Sequence, residues 1–138
     1  DKAWRIGIQN PTNQRGEYMA VLEVKNKTVV TSGIYERFFV EDGQRYHHIL
    51  SVHDGYPVEN RVLSVTIVAD SSTDADALST GVFAMGYQKG QQLIESLSGV
   101  DAVWIFDNYS IRVSSGLKDS FSLMDTDFNE SGPIPSQR

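Results

Sequence analysis

Between residues 73 and 97 the hydrophobic pattern changes period, and that change constrains the fold more than any other feature of the chain. Before it, apolar residues alternate with polar or small ones in Trp4-Arg5-Ile6-Gly7-Ile8, Tyr18 to Val24 and Thr28 to Val30. Successive side chains of a strand point to opposite faces, so this spacing predicts strands with one buried face. Pro11 to Gly16 reads as a turn-rich link, and Lys25-Asn26-Lys27 as a tight hairpin turn. Tyr35 to Val40 and Arg45 to Leu50 flank Glu41-Asp42-Gly43-Gln44, and Asp-Gly between two β-rich runs marks a hairpin. Leu63 to Ala69 is more continuously apolar toward its end, as a central strand covered on both faces should be. Thr73 to Met85 and Gln88 to Leu97 then repeat helically, with Gly86 the weak point between them. Ala102 to Phe106 and Ser110 to Val113 return to strand spacing around Asp107-Asn108-Tyr109. After Gly116 the periodicity fades, and Ser131-Gly132-Pro133-Ile134-Pro135 is expected to be disordered. Strands before and after a helical pair predict an α+β fold, a mostly antiparallel sheet packed by the helices.

Composition removes several kinds of chemistry. The chain has no cysteine, so disulfides, zinc-thiolate sites and thiol nucleophiles are out of reach. Its formal net charge is −6, with the twelve basic residues scattered, which argues against binding a phosphate backbone as the main task. No apolar run approaches the roughly 18 residues that span a bilayer, and nothing at the start reads as a signal peptide. Asp1-Lys2-Ala3-Trp4 lies one or two residues before the first strand, as expected of a fragment. No G-X-S-X-G elbow, Walker loop or G-X-G-X-X-G is found.

The stretch richest in chemistry is Ser71 to Phe83. At about 100° per residue, Leu78, Val82 and Met85 share one helix face with Ala75 nearby, while Asp76, Thr80, Phe83 and Tyr87 fall on the opposite side. Asp76 and Thr80 stand at i and i+4. A carboxylate and a hydroxyl one turn apart are hard oxygen donors of the kind Mg²⁺ takes from protein, with phosphate and water completing its octahedron. The helix N-terminus adds positive potential for a phosphate. The same residues also read as plain helix chemistry: Thr73-X-X-Asp76 fits a capping box with Asp in place of Glu, and Asp74 suits a first turn. Both readings stand on the residues alone.

Tyr46-His47-His48-Ile49-Leu50 lies on a strand, so His47 and His48 face opposite ways unless the strand is bulged. One can serve as an acid or base, and a purely structural histidine is the plainer reading. No metal-ligand spacing of histidines occurs. Ser32-Gly33, followed by Tyr35-Glu36-Arg37, could present backbone amides and a cation to an anion, or could simply be a bulge or bend. Trp4 and Trp104 read as core aromatics.

Four segments together resemble the FAD:protein FMN transferases, the ApbE-like family. They are Trp4-Arg5-Ile6-Gly7-Ile8-Gln9-Asn10-Pro11; Thr31-Ser32-Gly33-Ile34-Tyr35-Glu36-Arg37-Phe38; His47-His48-Ile49-Leu50 running on to Gly55-Tyr56-Pro57; and Ser71 to Phe83, in matching order and spacing. The resemblance implies the C-terminal part of an α+β fold over residues 1–120, with a partly disordered tail over 121–138. It implies that FAD lies between two halves with Mg²⁺ on its pyrophosphate, that AMP leaves, and that FMN passes to a Thr (or Ser) hydroxyl of a target flavoprotein. Some relatives hydrolyse FAD to FMN and AMP instead, and a non-catalytic flavin-binding module is the other reading. Matched motif to motif, Asp76 and Thr80 would ligate Mg²⁺ with the main chain near Ala77 close by. His48 would be the general base, and Ser32, Gly33, Tyr35 and Arg37 would line the flavin cleft. Two departures follow. Ser51-Val52 stands where the family usually has Asp-Pro, and the family's N-terminal half is absent, so the isolated piece is expected to be inactive. The resemblance further implies an extracytoplasmic parent protein anchored to a membrane.

Overall fold

The computed structural model describes residues 2–11, 18–34, 38–41, 44–47 and 61–135. The chain runs β1 (Trp4–Gln9), β2 (Tyr18–Val24), β3 (Thr28–Gly33), β4 (Phe38–Glu41), β5 (Gln44–His47), β6 (Val62–Ala69), α1 (Ser72–Ser96), β7 (Asp101–Phe106) and β8 (Ile111–Val113). A 3₁₀ turn at Ser115–Leu117 and β9 (Phe121–Leu123) follow. All named strand pairs are antiparallel, which bears out the α+β expectation.

The organising element is a four-stranded sheet in the order β3-β6-β7-β8. Both faces of this sheet are covered. On one, Val65, Ile67, Trp104 and Phe106 pack under Val82, Phe83 and Ile94 of α1. On the other, Val68, Val103, Ile105 and Ile111 meet Ile8, Met19, Leu22 and Phe121 of a second sheet, ordered β1-β2-β9. The layers are therefore helix, sheet, sheet. Each fully buried aliphatic or aromatic side chain contributes roughly 1.5–3 kcal/mol of transfer free energy, so the two cores rest chiefly on β6 and β7. That double coverage is the physical reason Leu63 to Ala69 reads as nearly continuous apolar sequence. A register shift between Val62 and Ser64 puts Val62 on the same face as Val65, where both join the core beneath α1. β4 and β5 form the hairpin that Asp42-Gly43 signals.

Several expectations change. Lys25-Asn26-Lys27 does not close a hairpin: β2 pairs with β1 and β9, whereas β3 pairs with β6. The chain crosses between sheets there through Asn26 at φ 54°, and Lys27 Nζ donates to Asp70 Oδ1 at 2.7 Å. Local turn chemistry reports that the chain bends, and burial decides which strand it then joins. Trp104 is 1% exposed, as a core aromatic should be, but Trp4 is 73% exposed on the edge strand β1. Ser131 to Pro135, expected to be disordered, is held by side chains of the β7–β8 hairpin. Pro133 O accepts from Asn108 Nδ2 and Ser110 Oγ, both at 2.8 Å, and Gly132 O accepts from Arg112 Nη2 at 2.6 Å. A polar, Pro-containing segment has no periodicity to announce such long-range bonds.

The helical pair is one run, α1, broken at Gly86, whose φ of 80° and ψ of 173° lie outside helical geometry. That combination is essentially restricted to glycine, and a side chain there costs of the order of 1–3 kcal/mol. Gly86→Ala is therefore expected to lower the unfolding free energy by about that amount, read from the shift of the urea midpoint. An unchanged midpoint would mean that the break is not held in the folded protein. The buried stripe continues across the break at helical spacing. The buried residues of α1 are Ala75, Ser79, Val82 and Phe83 before the break, and Gly90 and Ile94 after it. Phe83, placed by periodicity on the polar side, is fully buried, and Met85, placed in the core, is 37% exposed. Tyr87 stacks edge-on against Trp104 and Phe106, with ring centroids 5.0 and 5.4 Å apart. The far end of α1 is pinned by Glu95, whose carboxylate accepts from Ser115 N at 2.9 Å and Ser115 Oγ at 2.8 Å. Those two bonds stabilise the ionised form and hold the Glu95 carboxyl below its ordinary value.

Candidate functional site

The helix begins two residues earlier than a Thr73–Asp76 capping box requires. Ser71 is the N-cap, in extended conformation, and its side chain accepts from Asp74 N at 3.3 Å. Asp74 is thus the first-turn acid, as expected of it, and Asp76 is released from capping. The plain helix reading for Asp76 loses its support. Asp76, Ala77 and Thr80 are all exposed, and Asp76 and Thr80 sit one turn apart on the same side of α1. Among the described residues, neither the Asp76 carboxylate nor the Thr80 hydroxyl is engaged in a hydrogen bond or ion pair. Asp70, just ahead of the helix, contrasts with them because Lys27 already pairs with it.

This donor set fits Mg²⁺ in a particular way. Among the described residues no group of three or more His, Asp or Glu could cage a metal. One free carboxylate with one free hydroxyl is instead what Mg²⁺ accepts when substrate phosphate and water supply the remaining ligands. The carbonyl of Ala77 lies inside the helical ladder, so its first lone pair is committed and only a second could face outward.

The end of β3 lies against the same turn. Ser32 faces α1, and its Oγ is 2.8 Å from Ser79 Oγ, with both residues buried. Ser79 Oγ in turn donates to the carbonyl of Asp76 at 2.9 Å. Gly33 closes β3 opposite Ser64, and Ile34 N donates to Leu63 O at 3.0 Å. The structure therefore joins Ser32, at the end of β3, to the turn bearing Asp76 and Thr80. Tyr35, Arg37 and His48 lie outside the described residues, as do Ser51 and Val52. His48 directly follows β5, whose His47 is in register with Phe38 of β4.

The family model of the ApbE family matches residues 1–104, a span that includes β3, all of α1 and most of β7. The chain belongs to the ApbE family. It is 44% identical over 125 residues to the FAD:protein FMN transferase of Treponema pallidum (strain Nichols), covering 91% of this chain and 34% of that protein. A FAD:protein FMN transferase of Klebsiella pneumoniae (strain 342) is 36% identical over 125 residues, with 91% and 40% covered. Among solved structures, the ApbE protein of Thermotoga maritima superposes with a TM-score of 0.75 at 37% identity, covering 87% of this chain and 38% of that one. The flavin transferase ApbE of Vibrio cholerae superposes with a TM-score of 0.69 at 33% identity, covering 85% and 37%. The chain thus spans roughly a third to two fifths of the length of these ApbE proteins.

Beside Asp76 and Thr80, sequence reasoning passed over the buried, hydrogen-bonded Ser79. A serine among Ala75, Leu78 and Val82 reads as a small filler on a buried stripe. Only the approach of β3 shows that its hydroxyl is bonded on two sides.

Proposed function

We propose that these residues form the C-terminal part of a FAD:protein FMN transferase, with Asp76 and Thr80 as its Mg²⁺ ligands. The observation that carries this reading is the pair of uncommitted oxygen donors one turn apart at the start of α1, in a chain whose relatives are named for that activity. Bound there, Mg²⁺ would neutralise charge on the FAD pyrophosphate. The acceptor hydroxyl, from a Thr or Ser of a target flavoprotein, attacks the phosphorus on the FMN side. The bond from that phosphorus to the bridging oxygen breaks, AMP leaves with the bridging oxygen, and His48 takes the hydroxyl proton. Ser32, Gly33, Tyr35 and Arg37 line the side of the cleft that holds the flavin. The preceding part of the fold, corresponding to the N-terminal half of the relatives, supplies the opposite wall. A closed cleft is needed to desolvate the dinucleotide and complete the metal's coordination.

The test is a turnover assay on the full-length protein with FAD and an acceptor flavoprotein, with Mg²⁺ and with EDTA. AMP release and covalent flavin fluorescence on the acceptor, both abolished by EDTA, are the expected result. AMP released equally without acceptor would make the protein a pyrophosphatase. Flavin binding with no AMP under any condition would make it a non-catalytic module.

A further inference from the structure

The Ser32–Ser79–Asp76 chain has a direction that follows from proton counting. A serine hydroxyl has one proton. Ser79 donates its proton to the Asp76 carbonyl, which can only accept, at 2.9 Å. The 2.8 Å contact between Ser79 Oγ and Ser32 Oγ must then be filled by the proton of Ser32. The order runs Ser32 O–H to Ser79 Oγ, and Ser79 O–H to Asp76 O. Ser32 is then left with lone pairs only for any further partner.

We infer that Ser79 is a positioning residue for the metal-ligating turn, an inference that rests on the proposed Mg²⁺ role of Asp76 and Thr80. Its backbone adjoins Thr80 directly, and its hydroxyl holds the main chain of Asp76. The same hydroxyl is anchored by Ser32 on β3, a strand of the central sheet. One buried oxygen thereby ties both ligand-bearing residues to the rigid layer and sets the rotation and axial position of the first turns of α1. An apolar residue of similar size would keep the packing but lose that reference, because van der Waals contact does not specify rotation about the helix axis as a directed bond does. Groups that orient metal ligands typically influence metal affinity 10–100-fold.

The experiment titrates Mn²⁺, a paramagnetic substitute for Mg²⁺, into the full-length protein with FAD present, following free Mn²⁺ by electron paramagnetic resonance. Ser79→Ala is expected to weaken Mn²⁺ binding about tenfold or more. It should raise the Mg²⁺ concentration for half-maximal turnover by the same factor, while kcat at saturating Mg²⁺ stays within about twofold. Ser79→Cys occupies nearly the same volume with a weak donor and should show the same loss, which keeps the test available if the alanine variant folds poorly. Ser79→Thr retains a hydroxyl that can bond the preceding turn and should restore affinity. Cys and Thr variants that both bind Mn²⁺ as wild type does would overturn the positioning role. Loss of affinity in the Thr variant equal to that in the Cys variant would also overturn it, since the hydroxyl would then not be what matters. If the unsubstituted protein itself binds no Mn²⁺ with FAD, the proposed function fails and not merely the role of Ser79.

Discussion

Asp76→Asn is expected to lower Mg²⁺-dependent AMP release from FAD by on the order of 10²–10³-fold in the full-length protein, with almost no change in melting temperature. The amide keeps the size and one acceptor oxygen of the carboxylate but removes its charge. Metal stabilisation of a reacting phosphoryl group is worth several kcal/mol, and each 1.4 kcal/mol or so is a factor of ten in rate. The stability half of the prediction follows from position. Asp76 is exposed, lies beyond the cap, and has no side-chain partner among the described residues, and such surface substitutions usually stay within about 0.5 kcal/mol. AMP release by chromatography and a thermal melt on the same sample decide it. Turnover retained within a few-fold would remove Asp76 from the metal site. A large drop in melting temperature would return it to a structural role.

Phe83→Ala is expected to destabilise the fold by about 3–5 kcal/mol, the range for truncating a buried aromatic. Phe83 is fully buried between α1 and the central sheet, in the core that holds Trp104 and Phe106. Met85→Ala, two residues on, provides the control. Met85 is partly exposed and should cost less than about 1 kcal/mol, because little area is transferred from water there. Urea unfolding with unchanged slope measures both. Equal effects at the two positions would mean that the helix is rotated from its described orientation, and Asp76 and Thr80 with it.

Much of the architecture is legible in the chain because secondary structure answers to local spacing. The β4–β5 hairpin at Asp42-Gly43, the central character of β6, the β7–β8 hairpin and the weak point at Gly86 are all announced by residues within a few positions of the feature. The i, i+4 relation of Asp76 and Thr80 is equally local. What misleads is hydrophobicity. Leu78, Val82 and Met85 mark the greasiest face, whereas the face that packs on the sheet carries the small residues Ala75, Ser79, Gly86 and Gly90, so Phe83 is buried and Met85 is not. Spacing alone also fits a cap at Thr73, because both Ser71 and Thr73 have an acid three residues on, and only the structure puts the N-cap at Ser71. At the candidate site, Asp76 and Thr80 could be named from sequence, while Ser79 could not.

By itself, the sequence determined the α+β class, the position of nearly every strand, the broken helix and the pair of oxygen donors on its first turns. Each depends on residues a few positions apart, whose relative geometry the backbone sets. Tertiary structure alone decided that β2 and β3 part into different sheets, that the hairpin side chains hold Gly132 and Pro133, and that Ser32 meets Ser79. These depend on which apolar faces bury each other and which hydroxyls are thereby removed from water together. Groups 47 residues apart come within 2.8 Å only when the whole core closes.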